Sequence, residues 1–265
     1  MRCLIVGILN VTPDSFSDGG RFASAETAIA AGVRMAGEGA DWIDVGGEST
    51  RPGAAVVSED EERARVLPVI AGLRARLPEK VRISIDTYKA GTARAALAAG
   101  ATVVNDVSGG RLDPAILGVA AETGAVIVLG HLRGAPASMM EGIAFADVVA
   151  EVGGELAERV DAARRVGCRE IWADPGIGFG KRIEHNLALL RALPELRARV
   201  GVPLMVGVSR KAFIGQLTGK PADERQFGTA AAVTAAVLGG AAAVRVHDVG
   251  PTRDVLAVAE ALLHD

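Results

Sequence analysis

Short apolar runs alternate along the chain with longer segments of helical character. The runs suited to strands occupy residues 3–9, 42–45, 81–85, 102–104, 125–129, 171–173, 203–206 and 242–246. The intervening segments have helical periodicity, most clearly at 24–38, 59–77, 90–99, 145–166 and 227–238. This eightfold alternation predicts an α/β fold, a (β/α)8 TIM barrel, with an open doubly wound sheet as the alternative.

Nothing in the pattern divides the chain. No Ser/Pro-rich linker, low-complexity tract or shift of composition interrupts the 265 residues, and a barrel of about 250 residues is a normal single domain. We therefore expect one domain over residues 1–265. Apolar residues make up 49% of the chain and aromatic residues only 3%, so Ala, Val, Leu and Ile must form the core, as in buried parallel strands.

Charge and cysteine content narrow the class of protein. The net charge is −3 and the charged residues lie in short scattered clusters, which predicts small-molecule partners rather than nucleic acid or a membrane surface. No stretch approaches the roughly 18 uninterrupted apolar residues of a membrane span. Cys3 and Cys168 have neither metal-ligand spacing nor the density of a disulfide scaffold, so we expect reduced thiols and a cytoplasmic protein.

Polar residues stand where the predicted strands end. In chain order the first of them are Asn10, Asp44, Asp86, Asn105, His131, Asp174, Ser209 and Arg245. In a barrel the carboxyl ends of all strands meet at one face, where active sites are assembled from the following loops. A cap for the next helix explains one such residue, but eight of them predict an active site at the C-terminal ends of the strands.

The segment D-P-G-I-G-F-G-K at 174–181 has the strongest signal of this kind. Pro175 ends a strand directly after Asp174, because proline cannot donate a ladder hydrogen bond. Three glycines then alternate with Ile177 and Phe179, which lets the backbone approach a ligand while Phe179 offers a ring face. We interpret the segment as a binding loop, with an ordinary βα turn as the alternative.

Asp86, Asn105 and Asp174 together offer two carboxylates and one amide. An ionised Asp accepts two parallel hydrogen bonds from a ring N–H and an adjacent amino group, and Asn both donates and accepts. The set therefore suits the edge of an amino-pyrimidinone ring. A divalent metal would take the same oxygen atoms, and the spacing leaves both alternatives open.

Arg245 and His247 alternate along one strand, so both side chains are expected to project toward the barrel axis. Together with Asn10, Thr50 and Arg51 they form a candidate anion site, since a guanidinium fork matches phosphate oxygens. A satisfied core histidine is the alternative for His247.

Lys211 and two loops complete the candidate site. Lys211 follows another strand and could reach the mouth of the barrel, although a solvated surface lysine is the default for this residue type. The loops at 12–20 and 49–53 contain Pro, Gly and Ser with little apolar anchoring, as mobile lids do. Inert surface loops are the alternative.

Seven motifs, in order along the chain, resemble the signature segments of the dihydropteroate synthase family. They are N-V-T-P-D-S-F-S-D-G-G (10–20), D-V-G-G-E-S-T-R-P-G (44–53), I-D-T (85–87), N-D-V-S-G-G (105–110), D-P-G-I-G-F-G-K (174–181), S-R-K (209–211) and R-V-H-D (245–248). The match spans almost the whole chain, and seven motifs at predicted strand exits are far more specific than any one alone.

The resemblance implies a cytoplasmic, homodimeric transferase of folate synthesis, of the class that sulfonamides target. Such an enzyme joins 6-hydroxymethyl-7,8-dihydropterin diphosphate to p-aminobenzoate, with Mg2+ as cofactor, and releases diphosphate and 7,8-dihydropteroate.

The resemblance also implies roles for individual residues. Asp86, Asn105, Asp174 and Lys211 would hold the pterin; Asn10, Thr50, Arg245 and His247 the diphosphate; and Phe16, Arg51, Pro52 and Phe179, beside Lys211, the p-aminobenzoate. Asn10 would be the ligand of Mg2+, with the loop acid Asp18 nearby. The residues implied as catalytic are Lys211, Asp86, Asp18, Arg245 and His247.

One departure from the family lies beside His131, where Gly130 and Leu132 replace residues that are commonly methionine. It bears on the packing around the pterin ring. A pterin-binding methyltransferase domain, which resembles the same barrel, is the alternative function, and a non-catalytic pterin carrier is a third. The loop at 12–20, S-R-K and R-V-H favour the synthase, because a methyl-transferring domain has no use for groups that hold diphosphate.

Overall fold

The computed structural model describes residues 2–12, 21–50 and 53–263, with residues 21–24 described by their backbone alone. Eight parallel strands form one sheet. They are β1 (Leu4–Asn10), β2 (Trp42–Gly46), β3 (Arg82–Asp86), β4 (Val103–Asp106), β5 (Val126–Gly130), β6 (Ile171–Asp174), β7 (Met205–Val206) and β8 (Ala243–Val246).

Helices lie between the strands and after the last one. They are α1 (Arg21–Gly37), α2 (Glu59–Arg76), α3 (Ala90–Ala98), α4 (Ala115–Thr123), α5 (Val148–Arg165), α6 (Ile183–Arg191), α7 (Leu193–Val200), α8 (Ala212–Thr218), α9 (Gln226–Leu238) and α10 (Val249–Ala261). Local sequence sets several ends: Ser58 and Asp147 cap the first turns of α2 and α5, and left-handed Gly124 and Gly201 end α4 and α7. Within the described residues, no helix is long and apolar enough to cross a membrane.

The strand order closes the sheet into a barrel. Neighbours run β6-β5-β4-β3-β2-β1-β8-β7, and the two outermost strands meet through an isolated parallel bridge between Ala173 and Leu204. The Ala173 N–H donates to the Pro203 carbonyl at 3.0 Å across this seam. The predicted (β/α)8 barrel is therefore confirmed, and the open doubly wound alternative is wrong.

Strand boundaries differ from the apolar runs in two ways. β1, β3, β4 and β6 continue through the polar residues that end them, because hydrogen bonding to neighbouring strands does not depend on side-chain polarity. β7 contains only two residues of the predicted run at 203–206. Its start is delayed by Pro203, which has no N–H to donate.

Side-chain alternation separates an apolar plug from a polar layer inside the barrel. The plug is one cluster of buried residues: Val6, Trp42, Val103, Val126, Val128, Trp172, Met205 and Ala243. Since alternate residues of a strand face the same side, residues two or four places further along also face the barrel axis. These are Asn10, Asp44, Asn105, Asp174 and Arg245, and Asp86 joins them through its register with Gly46 and Asn105.

The other face of each strand packs against the helices. Ile5, Ile43, Ile83 and Ile127 are fully buried and belong to the large cluster between the sheet and the helices. This outer core is built from aliphatic residues, as the composition predicts. It fixes the strands rigidly, so the polar residues at their ends have set positions.

Candidate active site

Asp44 connects the polar layer. It is fully buried, and its Oδ2 accepts hydrogen bonds from Asn105 Nδ2 at 2.9 Å and from Arg245 Nε at 2.6 Å. Arg245 Nη2 donates in turn to Asp86 Oδ2 at 2.6 Å. Four strands, β2, β3, β4 and β8, are thereby joined at their carboxyl ends. Asp44 is one of the polar strand-end residues seen in the sequence, but it is absent from the residue roles that the family resemblance implies.

The charges in this layer strongly affect one another. Burial raises the pKa of Asp86 to about 7, the Arg245 guanidinium opposes this increase, and the Asp44 carboxylate adds to it. Burial alone would lower the pKa of Arg245, but the two carboxylates outweigh it and raise that pKa. Asp44 Oδ1 is buried and has no hydrogen-bond partner in the described part of the chain. Arg245 thus supplies the positive charge between Asp44 and Asp86.

Asp174 faces the same space from β6. Its Oδ1 accepts the Gly176 N–H at 2.7 Å, and burial raises its pKa. Gly207, at the next inward position after Met205, leaves an opening beside it: a Cβ placed on Gly207 would lie 3.8 Å from both Asp174 Oδ2 and Arg245 Cβ. Glycine at 207 therefore adds no side chain next to these two groups.

The loop after β6 brings an aromatic ring to this space. Gly176, Gly178 and Gly180 all have positive φ, which only glycine adopts easily. A Cβ on Gly176 would come within 2.0 Å of the His131 carbonyl oxygen, and one on Gly178 within 2.9 Å of Lys211 Cδ. The alternating glycines thus serve close packing, which an ordinary turn would not require.

Lys211 lies over the ring that this loop presents. Its Nζ is 3.8 Å from the centroid of the Phe179 ring, a cation–π contact. Burial lowers the pKa of Lys211 to about 8, and the Asp174 carboxylate opposes this effect. Lys211 is not a solvated surface lysine: it stands in the mouth of the barrel.

The preceding residue is held in an unusual conformation that sets the position of Lys211. Arg210 has φ +58, and it pairs with Asp248 through contacts of 2.7, 3.0 and 3.3 Å. The Arg210 N–H donates to Thr229 Oγ1 at 3.0 Å, and Arg225 donates to the Arg210 carbonyl at 3.0 Å. These contacts supply the support that a left-handed non-glycine residue requires.

His247 lies just beyond the end of β8, opposite Ser209. Ser209 Oγ accepts the His247 N–H at 3.3 Å and lies 2.9 Å from His247 Nδ1. The serine oxygen has two lone pairs, so it can accept a second hydrogen bond from Nδ1–H or donate its own hydrogen to Nδ1. Burial, followed by the charges of Arg245 and Arg210, lowers the pKa of His247 to about 4. The ring is therefore a neutral N–H donor at neutral pH.

Asn10 and Thr50 complete the described part of the predicted anion site. Asn10 ends β1, and its Oδ1 and Asp86 Oδ2 flank the Cβ position of Gly46 on the inner face. Thr50 follows β2 and is partly buried. Phe16, Asp18, Arg51 and Pro52 lie outside the described residues.

A fixed contact network supports the segment before Thr50. Tyr88 donates to Glu48 Oε1 at 2.9 Å, and Lys89 bridges Glu48 and the buried Glu62, lying 2.9 Å from the latter. The loop after β2 is thus attached to the start of α3 and to α2.

Gly130 and Leu132 fit this backbone closely. A Cβ on Gly130 would lie 2.6 Å from the Val107 carbonyl oxygen, so no larger residue fits at 130 without a shift of the loop after β4. Leu132 is 1% exposed and packs with Val107 and Met139, against which Phe179 also lies. The floor next to Phe179 is therefore filled.

The described residues contain no group of three His, Cys, Asp or Glu side chains that could hold a metal ion. That finding does not cover a set that includes Asn105, but Asp86 and Asn105 already hydrogen-bond to Arg245 and Asp44, which favours the ring-binding interpretation over a metal cage. The arrangement offers acceptors, an amide and cations at the carboxyl ends of the strands. It can bind a polar heterocycle and a neighbouring anion.

Known proteins are similar to this chain in sequence and in structure. A model of the pterin binding enzyme family matches residues 6–247. A dihydropteroate synthase from Synechocystis is 49% identical over 264 residues, which cover 98% of this chain and 90% of the relative.

Solved structures agree. A Xanthomonas albilineans dihydropteroate synthase with 4-aminobenzoic acid has a TM-score of 0.92 at 45% identity, covering 100% of this chain and 94% of that one. The Xanthomonas albilineans enzyme in complex with 7,8-dihydropteroate has a TM-score of 0.88 at 42% identity, covering 100% and 95%. The chain therefore belongs to the dihydropteroate synthase family of pterin-binding enzymes, which transfer a pterin group in folate synthesis.

Proposed function

We propose that the protein condenses 6-hydroxymethyl-7,8-dihydropterin diphosphate with p-aminobenzoate to give 7,8-dihydropteroate and diphosphate. The observation that carries this proposal is the convergence of Asp174, Asn105 and Arg245 at the carboxyl ends of the strands, together with the Lys211 ammonium group over the Phe179 ring. A heterocycle with paired donors fits the acceptors, and an arylamine fits beside the ring.

The pterin would lie flat on the polar layer. The two carboxylate oxygens of Asp174 would accept the ring N3–H and the amino group, since Oδ1 keeps a second lone pair beside the Gly176 N–H. Asn105 donates its amide hydrogen to Asp44, so its amide oxygen is the atom turned to a ligand donor. Lys211 would donate to the pterin carbonyl, and Asp86 would accept from the other side of the ring.

The diphosphate would lie between β1 and β8. Two of the three guanidinium nitrogens of Arg245 bind carboxylates, and we assign Nη1 to a phosphate oxygen. The neutral His247 ring, Asn10 and Thr50 would provide further polar contacts.

Mg2+ fits this part of the site. It usually keeps several waters and takes one or two protein oxygens together with substrate phosphates; the inward amide oxygen of Asn10 beside Asp86 is such a ligand. When bound, the ion supplies positive charge to the diphosphate oxygens. Asp18 would lie nearby.

The chemistry we propose is dissociative. An arylamine is a weak nucleophile, whereas diphosphate next to an electron-rich dihydropterin leaves readily, so the C–O bond breaks before the C–N bond forms. Arg245 and His247 are already held in position and stabilise the negative charge on the leaving diphosphate without reorganisation. The pterin carbocation is then attacked by the amine, which loses a proton to give 7,8-dihydropteroate.

We further propose that the chain is a single-domain, cytoplasmic protein and a homodimer. Both described cysteines are buried free thiols, as in a reducing compartment. An apolar groove of about 640 Å³ lies between α6, α8 and α9, and Leu217 and Phe227 are exposed there or nearby at 59% and 86%. A second copy would cover this face.

The deciding experiment mixes purified protein, Mg2+, the pterin diphosphate and p-aminobenzoate and measures dihydropteroate by chromatography. A parallel reaction offers a methylated pterin and a corrinoid protein. Dihydropteroate in the first reaction alone supports the synthase; methyl transfer without dihydropteroate would overturn it.

A further inference from the structure

Lys181 is a buried lysine for which the proposed chemistry has no use. It is 3% exposed. Its Nζ lies 3.0 Å from the carbonyl oxygens of Gly176 and Phe179, 3.3 Å from that of His131 and 2.9 Å from His131 Nδ1, so its three N–H donors are shared among four acceptors. One ammonium group thus joins the loop after β5 to the loop after β6.

These hydrogen-bond partners are all neutral, which makes Lys181 costly to bury. Burial lowers its pKa to about 7, and the nearest charges that act on it include Asp174, Lys211, Glu155 and Arg133. A side chain with no further role would more easily be apolar at such a position. The free-energy cost of burying Lys181 therefore indicates that the residue has a further role, and the atoms that it binds indicate which role.

Two of these carbonyls, those of Gly176 and Phe179, belong to the two ends of the segment that presents the Phe179 ring. Gly176 is the residue whose N–H binds Asp174, and Phe179 N–H donates to the Gly176 carbonyl at 3.0 Å. The other side chains that bind this segment's backbone are Asp174, at Gly176, and Asn186, which accepts the Gly178 N–H at 2.7 Å. Glycines alone would leave the segment many conformations.

We propose that Lys181 is a positioning residue that holds the Phe179 ring under Lys211 and thereby shapes the p-aminobenzoate slot. The slot itself rests on the proposed function. The position of the Phe179 ring does not, because it is set by contacts within the chain.

A second group orients Lys181 from outside. His131 Nε2 lies 3.1 Å from Glu155 Oε2, and Arg133 Nε donates to Glu155 Oε1 at 2.9 Å. Burial lowers the pKa of His131 to about 4, so the ring is neutral and donates Nε2–H to Glu155. Its Nδ1 is then an acceptor aimed at Lys181. A chain of contacts thus runs from the surface to the loop after β6, through Arg133, Glu155, His131 and Lys181.

The test compares Lys181→Met, which keeps the stem and removes the ammonium group, with Lys181→Gln, which keeps two N–H donors. Lys220→Met, at a lysine with 55% side-chain exposure, is the matched control. For Lys181→Met we expect KM for p-aminobenzoate to increase roughly tenfold or more, with KM for the pterin diphosphate changed less than about threefold. Lys181→Gln should recover part of the difference, and Lys220→Met should equal the wild type.

Amide hydrogen exchange without substrates provides the second measurement. Gly178 and Phe179 should exchange faster in Lys181→Met, while amides of β2 do not change. Should Lys181→Met fail to fold, Glu155→Gln, at a half-buried site, should raise KM for p-aminobenzoate and the loop exchange rate in the same direction.

The proposal is overturned if folded Lys181→Met exchanges at 178–179 like the wild type, or if both KM values change equally. A wild-type protein that forms no dihydropteroate would remove the proposed function, and hydrogen exchange would still decide whether Lys181 positions Phe179.

Discussion

Asp44 and Arg245 lie 201 residues apart in sequence, and Arg245 Nε donates to Asp44 Oδ2 at 2.6 Å in the floor of the barrel. Asp44 itself is fully buried. Arg245 is shared with Asp86, so one cation serves two carboxylates whose mutual repulsion would otherwise be severe. This sharing sets the charge of the site before any ligand arrives.

Changing Asp44 should therefore alter the titration of Asp86. Asp44→Asn keeps an acceptor oxygen for Asn105 and Arg245 but removes a negative charge that helps burial to raise the pKa of Asp86. With Asp86 as a pterin acceptor, the acidic limb of pterin affinity against pH should move to lower pH. Calorimetric titrations with the pterin at a series of pH values measure this shift. Asp60→Asn, at a 96% exposed side chain, is the control; an unmoved limb in a folded Asp44→Asn variant would contradict the assignment.

Asp174→Asn should weaken pterin binding. The substitution turns an acceptor into a donor that faces the donors of the ligand, which leaves buried groups unpaired at a cost of about 1–3 kcal/mol. Affinity measured by calorimetry should fall roughly tenfold or more. Asp161→Asn, on the exposed side of α5, should bind as the wild type does. Equal affinity of the two variants would remove Asp174 from the pterin site.

Lys211 should make pterin affinity decrease at high pH. Its pKa, lowered by burial to about 8, means that the ammonium group is present below that pH and is lost above it. The pterin affinity of the wild type, divided by that of Lys211→Met, should therefore be constant below about pH 7 and fall by up to roughly tenfold per unit above pH 8. Ionisation of the ligand affects both proteins alike and cancels in the ratio. A constant ratio up to pH 9.5 would show that the charge of Lys211 does not contribute to binding.

Binding of p-aminobenzoate should depend on diphosphate. Phe16 and Pro52, on loops outside the described residues, are proposed to complete the slot opposite Phe179 once the loops close over bound diphosphate and Mg2+. Titration of the free protein with p-aminobenzoate should give no measurable heat, and addition of Mg2+ and diphosphate should produce it. The same affinity for p-aminobenzoate with and without diphosphate would refute both this order of binding and the assignment of the two loops as lids.

Sequence alone could predict the barrel and much of the polar layer, because both follow from local pattern. Strand period and strand ends place Asp86, Asn105, Asp174 and Arg245 on one face. The pattern could not predict that Arg245 pairs with Asp44 and Asp86, since those contacts join distant strands.

Lys181 was beyond sequence reasoning for a similar reason. A lysine is exposed by default, and its burial here depends on three backbone carbonyls from two loops. The short β7 was predicted too long because an apolar run does not reveal where a ladder begins.

The closure between β6 and β7 gives the barrel a weak point. A single bridge at Ala173 and Leu204 joins these strands, whereas β1 and β2 pair over five residues. In the free protein the Ala173 amide should accordingly exchange with solvent faster than the amides of β2. An Ala173 amide as slow as those of β2 would contradict this.

Asp174 stands on one side of that closure and Lys211 follows the strand on the other. A pterin bound by both side chains would connect the β6 edge of the sheet to the β7 edge. With ligand at 100 times its Kd, opening that breaks the site should become about 100-fold rarer. The bound substrate would then stabilise the barrel itself. After each product release the closure between β6 and β7 would lose this stabilisation, at the place where the next substrate must enter.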